Sequence, residues 1–86
     1  MSTENKIILV CDEIKDLLLS KNDAYGNSAL EPLGVFSDLK AKESIMVRLD
    51  DKLKRIKNRG INDQTEDTVM DLAGYLVLLM IAIRDE

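Results

Sequence analysis

Two helical stripes carry the residues in this sequence that can do chemistry. Arg48, Asp51, Lys52 and Arg55 recur at i, i+3, i+4 and i+7. Asp67, Asp71 and Tyr75 recur at i, i+4 and i+8. On helices, each set falls on one face. Asp71 is the informative member, because it stands directly before the apolar run Leu72–Ile83. A charge there is costly unless it is paired or bound to a metal. Carboxylates from facing helices, here Asp51, Asp67 and Asp71, can hold Mg²⁺ inside a bundle. Mg²⁺ takes few carboxylates and fills its shell with water and substrate phosphates. Arg48, Lys52 and Arg55 on the adjoining face would then hold phosphate oxygens. That combination suits a nucleoside triphosphate attacked by a metal-activated water.

Each residue also has a plainer reading. Arg48, Asp51, Lys52 and Arg55 can form a solvated face with ordinary ion pairs. Asp67 can complement the positive end of a helix dipole. Asp71 can sit in a buried ion pair with Arg48, Lys52 or Arg55. The Tyr75 hydroxyl can satisfy a polar group in the core. Other chemistries are excluded by composition. The chain has no histidine, so the usual general base and the commonest zinc ligand are missing. Its four glycines are scattered and form no phosphate loop. Cys11 is the single cysteine and lies on an apolar stripe, which predicts packing, not nucleophilic chemistry.

Three helices must position these groups. The first is expected from about Glu4 to Ser20, capped by Ser2 or Thr3, with Ile7, Cys11, Ile14 and Leu18 as its stripe and Ile8 and Leu17 alongside. The second is expected from about Ala41 to Arg59. Its inner face is Ile45, Leu49, Leu53 and Ile56, with Met46 beside them, and Gly60 follows as the stop. The third is expected from near Asp63 to about Arg84, with Asp63 and Glu66 as a capping box. Lys21–Lys40 contains Gly26, Asn27, Pro32 and Gly34, which interrupt helices. It also holds enough apolar side chains to require a helical turn near Ser28–Leu30 or Val35–Leu39.

From Leu72 to Ile83 the third helix is apolar on every face, and such a helix has to be buried all round. Two companion helices cannot cover it. At 86 residues, with one Phe, two Tyr and no Trp, the core is thin, and domains this small need staples, metals or partner subunits. The sequence therefore predicts a single all-α domain over 1–86. It is a small bundle of three main helices completed by a homo-oligomer, dimer or tetramer. One cysteine, the absence of a signal-peptide pattern in Met1–Lys6, and an apolar run well short of the ~20 residues of a membrane span point to the cytoplasm and to no membrane partner. A net charge of −4 and a pI near 4.8 argue against duplex nucleic acid as a partner.

Three segments then carry a resemblance. Lys21-Asn-Asp-Ala-Tyr25-Gly26, Arg48-Leu-Asp-Asp51-Lys52-Leu-Lys-Arg55 and Asp67-Thr-Val-Met-Asp71-Leu-Ala-Gly-Tyr75 occur in this order. The chain resembles the phage and bacterial nucleotide modification associated domain 1. It is also similar to the MazG-like all-α nucleoside triphosphate pyrophosphatases. The resemblance covers most of the chain from Lys21 onward. It implies a MazG-like, oligomeric, nucleotide-handling protein of phage type, working in the host cytoplasm, with Mg²⁺ as cofactor. Metal would rest on Asp51, Asp67 and Asp71. The substrate would rest on Lys21, Arg48, Lys52 and Arg55 through phosphates, and on Tyr25 or Tyr75 through base or sugar. The pyrophosphatases carry an E-x-x-E pair on one helix and an E-x-x-D pair on the next. Here the second helix has Glu43 and Asp51, the third has Asp67 and Asp71 at i, i+4, and Glu13 and Asp16 lie on the first. The expected function is a Mg²⁺-dependent (deoxy)nucleoside triphosphate pyrophosphatase. Its alternatives are a non-catalytic module that sequesters a nucleotide or nucleotide signal, and a helical protein-interaction module.

Overall fold

A computed structural model of the chain describes residues 1–32, 34 and 39–85. It contains three helices, α1 (Thr3–Tyr25), α2 (Ala41–Arg59) and α3 (Glu66–Arg84), and no strand among the described residues. None of the three is long and apolar enough to cross a membrane.

Helix α1 starts where Ser2 Oγ accepts the Asn5 N–H at 3.1 Å. It runs five residues past the expected end at Ser20. Nothing from Lys21 to Tyr25 opposes a helix, and the stop comes at Gly26 and Asn27, with φ of 57° and 64°. That left-handed pair lets both N–H groups fold back on the Asn22 carbonyl. The expected turn at Ser28–Leu30 forms through N–H groups of Ser28, Leu30 and Glu31 donating to Tyr25 and Asn27 carbonyls. The alternative at Val35–Leu39 falls, apart from Leu39, outside the described residues.

Helix α2 has the expected bounds, and Gly60 closes it by donating to the Ile56 carbonyl at 2.7 Å. Its inner face differs from the expectation at Leu53 and Met46. At ~100° per residue, with Ile45 at zero, Ile56 falls near +20°, Lys52 near −20° and Leu53 near +80°. Lys52 is accordingly half-buried against α3, whereas Leu53 is 55% exposed. Met46 points outward as well.

Helix α3 begins at Glu66, three residues later than expected, and the Asp63–Glu66 capping box does not form. Thr65 occupies the N-cap position without capping the helix with its side chain. Its hydroxyl turns back into the link, donating to the Gly60 carbonyl at 2.8 Å and accepting the Asn62 N–H at 3.0 Å. Asn62 Oδ1 accepts the Gln64 N–H at 2.9 Å. The link is thus closed by its own side chains.

Helices α2 and α3 pack as a hairpin, while α1 approaches α3 and not α2. Leu18 lies against Gly74 and Lys21 against Asp71, so α1 runs antiparallel to α3. Among the described residues the buried apolar side chains are Ile45 and Ala82. In α1 none is fully buried. Ile14, Leu17 and Leu18 are half-buried, but Ile7, Ile8 and Cys11 are exposed, so the expected packing of Cys11 does not occur within one chain. The far side of α3 is also uncovered, with Leu76, Val77, Met80 and Ile83 exposed. The radius of gyration is 14.2 Å, against about 12 Å for a compact domain of this length.

Candidate functional site

Where α1, the turn after it, the first half of α2 and the middle of α3 converge, they enclose a cleft of about 560 Å³. Its apolar floor includes Leu17, Leu18, Ile45 and Leu78, with Gly74 under Leu18 of α1. A Cβ on Gly74 would lie 3.1 Å from a Leu18 methyl. The polar part of the wall is formed by Lys21, Asn22, Tyr25, Ser28, Ser44, Arg48, Asp71 and Tyr75.

Asp71 is the electrostatic centre. Its Oδ1 is 3.3 Å from Lys21 Nζ on α1, and its Oδ2 is 3.3 Å from Lys52 Nζ on α2. The Asp71 side chain is 22% exposed, and the two lysines are 50% and 30% exposed. One carboxylate therefore ties all three helices together. The expected ion pair of Asp71 forms with Lys52, and a second forms with Lys21 of α1 in place of Arg48 or Arg55. Arg48, exposed at the rim, adds a third cation. Two ammonium groups thus pair with one carboxylate, and a third cation lines the same cleft, in a chain whose total charge is −4.

The structure brings Lys21, Tyr25, Arg48, Asp71 and Tyr75 to this cleft, with Lys52 reaching it through Asp71. It does not bring the others. Asp51 and Arg55 are exposed off its lining. Asp67 is exposed in the first turn of α3, where its Oδ1 accepts the Thr68 N–H at 3.0 Å, as its helix-terminus reading expected. Among the described residues no three or more Asp, Glu or Cys side chains gather into a metal-ligand group. Both oxygens of Asp71 face ammonium groups.

Asn22, Ser28 and Ser44 line the cleft without having been singled out in the sequence. Ser44 had a signal. It precedes Arg48 by four residues, and Arg48 precedes Lys52 by four, which places all three on one side of α2. Ser28 had none, because its position depends on the left-handed pair Gly26–Asn27.

No protein-family model, no curated protein and no solved structure matches the chain.

Proposed function

We propose that this protein binds a nucleotide in the cleft and holds it without hydrolysing it. The observation that carries this reading is the pairing of Lys21 and Lys52 with a single partly buried carboxylate, Asp71, in the wall of a cleft that Arg48, Tyr25 and Tyr75 also line. A phosphate group can displace Asp71 from either lysine, and Arg48 supplies a planar pair of donors beside them. Tyr25 and Tyr75 offer ring faces for a base or an edge for a sugar. The residues of the resemblance to nucleotide modification associated domain 1 and the MazG-like proteins supply much of this wall. In this reading the chain is a MazG-like protomer of phage type, acts in the host cytoplasm, and completes its core as a homo-oligomer.

Hydrolysis is the second reading, carried by the same resemblance. It requires Asp71 to leave both lysines and act on Mg²⁺ bound to the phosphates. The engagement of both its oxygens is why binding comes first.

Thermal unfolding against nucleoside mono-, di- and triphosphates and cyclic dinucleotides, with and without Mg²⁺, tests the proposal. A ligand of the folded state raises the midpoint, by about 2.7 kcal/mol of stabilisation at a hundredfold excess over Kd. The expected result is a shift that does not need Mg²⁺, with the ligand recovered intact. Pyrophosphate release that requires Mg²⁺ would replace binding with hydrolysis. No shift with any compound at millimolar concentration would remove both and leave a helical protein-interaction module.

A further inference from the structure

We infer that the outward face of α3 is a helix–helix seam whose occupant is α3 of a second copy of this chain, antiparallel and related by a two-fold axis. This makes the oligomer of the preceding reading specific, but it rests on burial and spacing and needs no ligand.

The seam is Val69, Ala73, Leu76, Met80 and Ile83, with steps of four, three, four and three residues. That is the alternation by which one helix presents knobs to another. Ala73 is half-buried, and the four larger side chains are between 40% and 55% exposed. They lie on the side of α3 away from Gly74, Asp71 and Leu78, which face the cleft. The stripe spans about 21 Å along the helix, and no charged residue interrupts it.

The area sets how much must be covered. The single chain exposes 6883 Å². A compact monomer of 9.7 kDa exposes about 5,100 Å². The excess, about 1,800 Å², is more than twice the ~800 Å² that each partner buries in a standard interface. The occupant must also be present whenever the chain folds, because the chain alone has almost no core: Ile45 is the one large apolar side chain fully buried among the described residues. A second copy meets that condition, and symmetric pairs are the commonest oligomers. With the axis at Leu76, the midpoint of the stripe, small Ala73 faces the longer Met80 of the second copy. The cleft, on the opposite side of α3, stays open.

Sedimentation of the purified chain at roughly 100 µM and tenfold below is the first measurement. The expected mass is two chains, or pairs of such pairs, with an unfolding midpoint that rises with concentration. Leu76→Glu should reduce the mass to one chain or abolish folding, while Val47→Glu, an exposed site on α2, should keep the wild-type mass. Should Leu76→Glu not fold, Leu76→Cys in a Cys11→Ser background settles the matter. Mild oxidation should give a covalent pair, and Val47→Cys in the same background should not. A wild-type chain that sediments singly, a Leu76→Glu protein of unchanged mass, or no cross-link at Leu76→Cys would each overturn the seam. A single chain that still shifts with nucleotide would overturn it while leaving the binding proposal standing.

Discussion

Gly74 on α3 and Leu18 on α1 approach so closely that a Cβ on the glycine would stand 3.1 Å from the leucine methyl. This contact holds α1 against the hairpin at the floor of the cleft. Mid-helix glycine costs about 1 kcal/mol relative to alanine. Gly74→Ala trades that gain against a displaced Leu18 methyl, which is the mobile end of a half-buried side chain. Its unfolding free energy should stay within about 1 kcal/mol of wild type. Gly74→Leu has no such room and should push α1 away, abolishing the nucleotide-induced rise in midpoint. A Gly74→Leu protein with an undiminished shift would show that α1 is not a wall of the binding site.

Asp71→Asn separates binding from hydrolysis. The lost ion pairs are partly exposed, so the direct stability cost should be below about 1 kcal/mol. The substitution frees Lys21 and Lys52 and makes the cleft one unit more positive. Nucleotide affinity should therefore be kept or raised a few-fold, with a steeper loss on adding salt. If Asp71 carries metal, Asp71→Asn should instead lose Mg²⁺-dependent turnover. Isothermal titration at low and high salt, beside a pyrophosphate assay, reads both.

Much of the backbone was legible because its signals are local. The α2 bounds follow from spacing and from Gly60, and Ser2 marks the α1 start. The α1 end was missed because Lys21–Tyr25 carries no apolar periodicity, although Gly26 and Asn27 were already visible as stops. The α3 start was missed because Thr65 makes its hydrogen bonds backward, into the link. Leu53, expected on the inner face of α2, gives way to Lys52 for a related reason. A leucine at the next position is the more natural core residue, and only the partner carboxylate of Asp71 makes a lysine acceptable on the inner face. Of the candidate site, the cationic residues and tyrosines could be named, but their grouping depends on α1 folding back along α3. That packing left Asp51, Arg55 and Asp67 outside.

Cations at the cleft should matter for ligand, and those outside it should not. Lys21→Ala and Arg48→Ala should each weaken nucleotide binding about tenfold, roughly 1.4 kcal/mol for one charge-assisted contact. Arg55→Ala, equally cationic but off the lining, should leave the dissociation constant unchanged. Titration of the three variants with the best ligand of the thermal screen provides the comparison. Equal losses at all three positions would mean a general electrostatic attraction and no formed site.

The Thr65 hydroxyl is the most strongly committed side chain in the α2–α3 link. The residue is 1% exposed. Its oxygen donates to the Gly60 carbonyl and accepts the Asn62 N–H, fixing the turn that sets the register of the hairpin and so of Lys52 against Asp71. Thr65→Val keeps the shape and removes both bonds, leaving a backbone donor and an acceptor without their partner in a part-buried turn. The expected loss is about 1–3 kcal/mol, read as a lower urea midpoint with an unchanged slope. Thr65→Ser keeps the hydroxyl and its hydrogen bonds and gives up only one methyl group, so its loss should be held to about 1 kcal/mol. A Thr65→Val protein as stable as wild type would mean that the link is held by helix packing and not by its own hydrogen bonds.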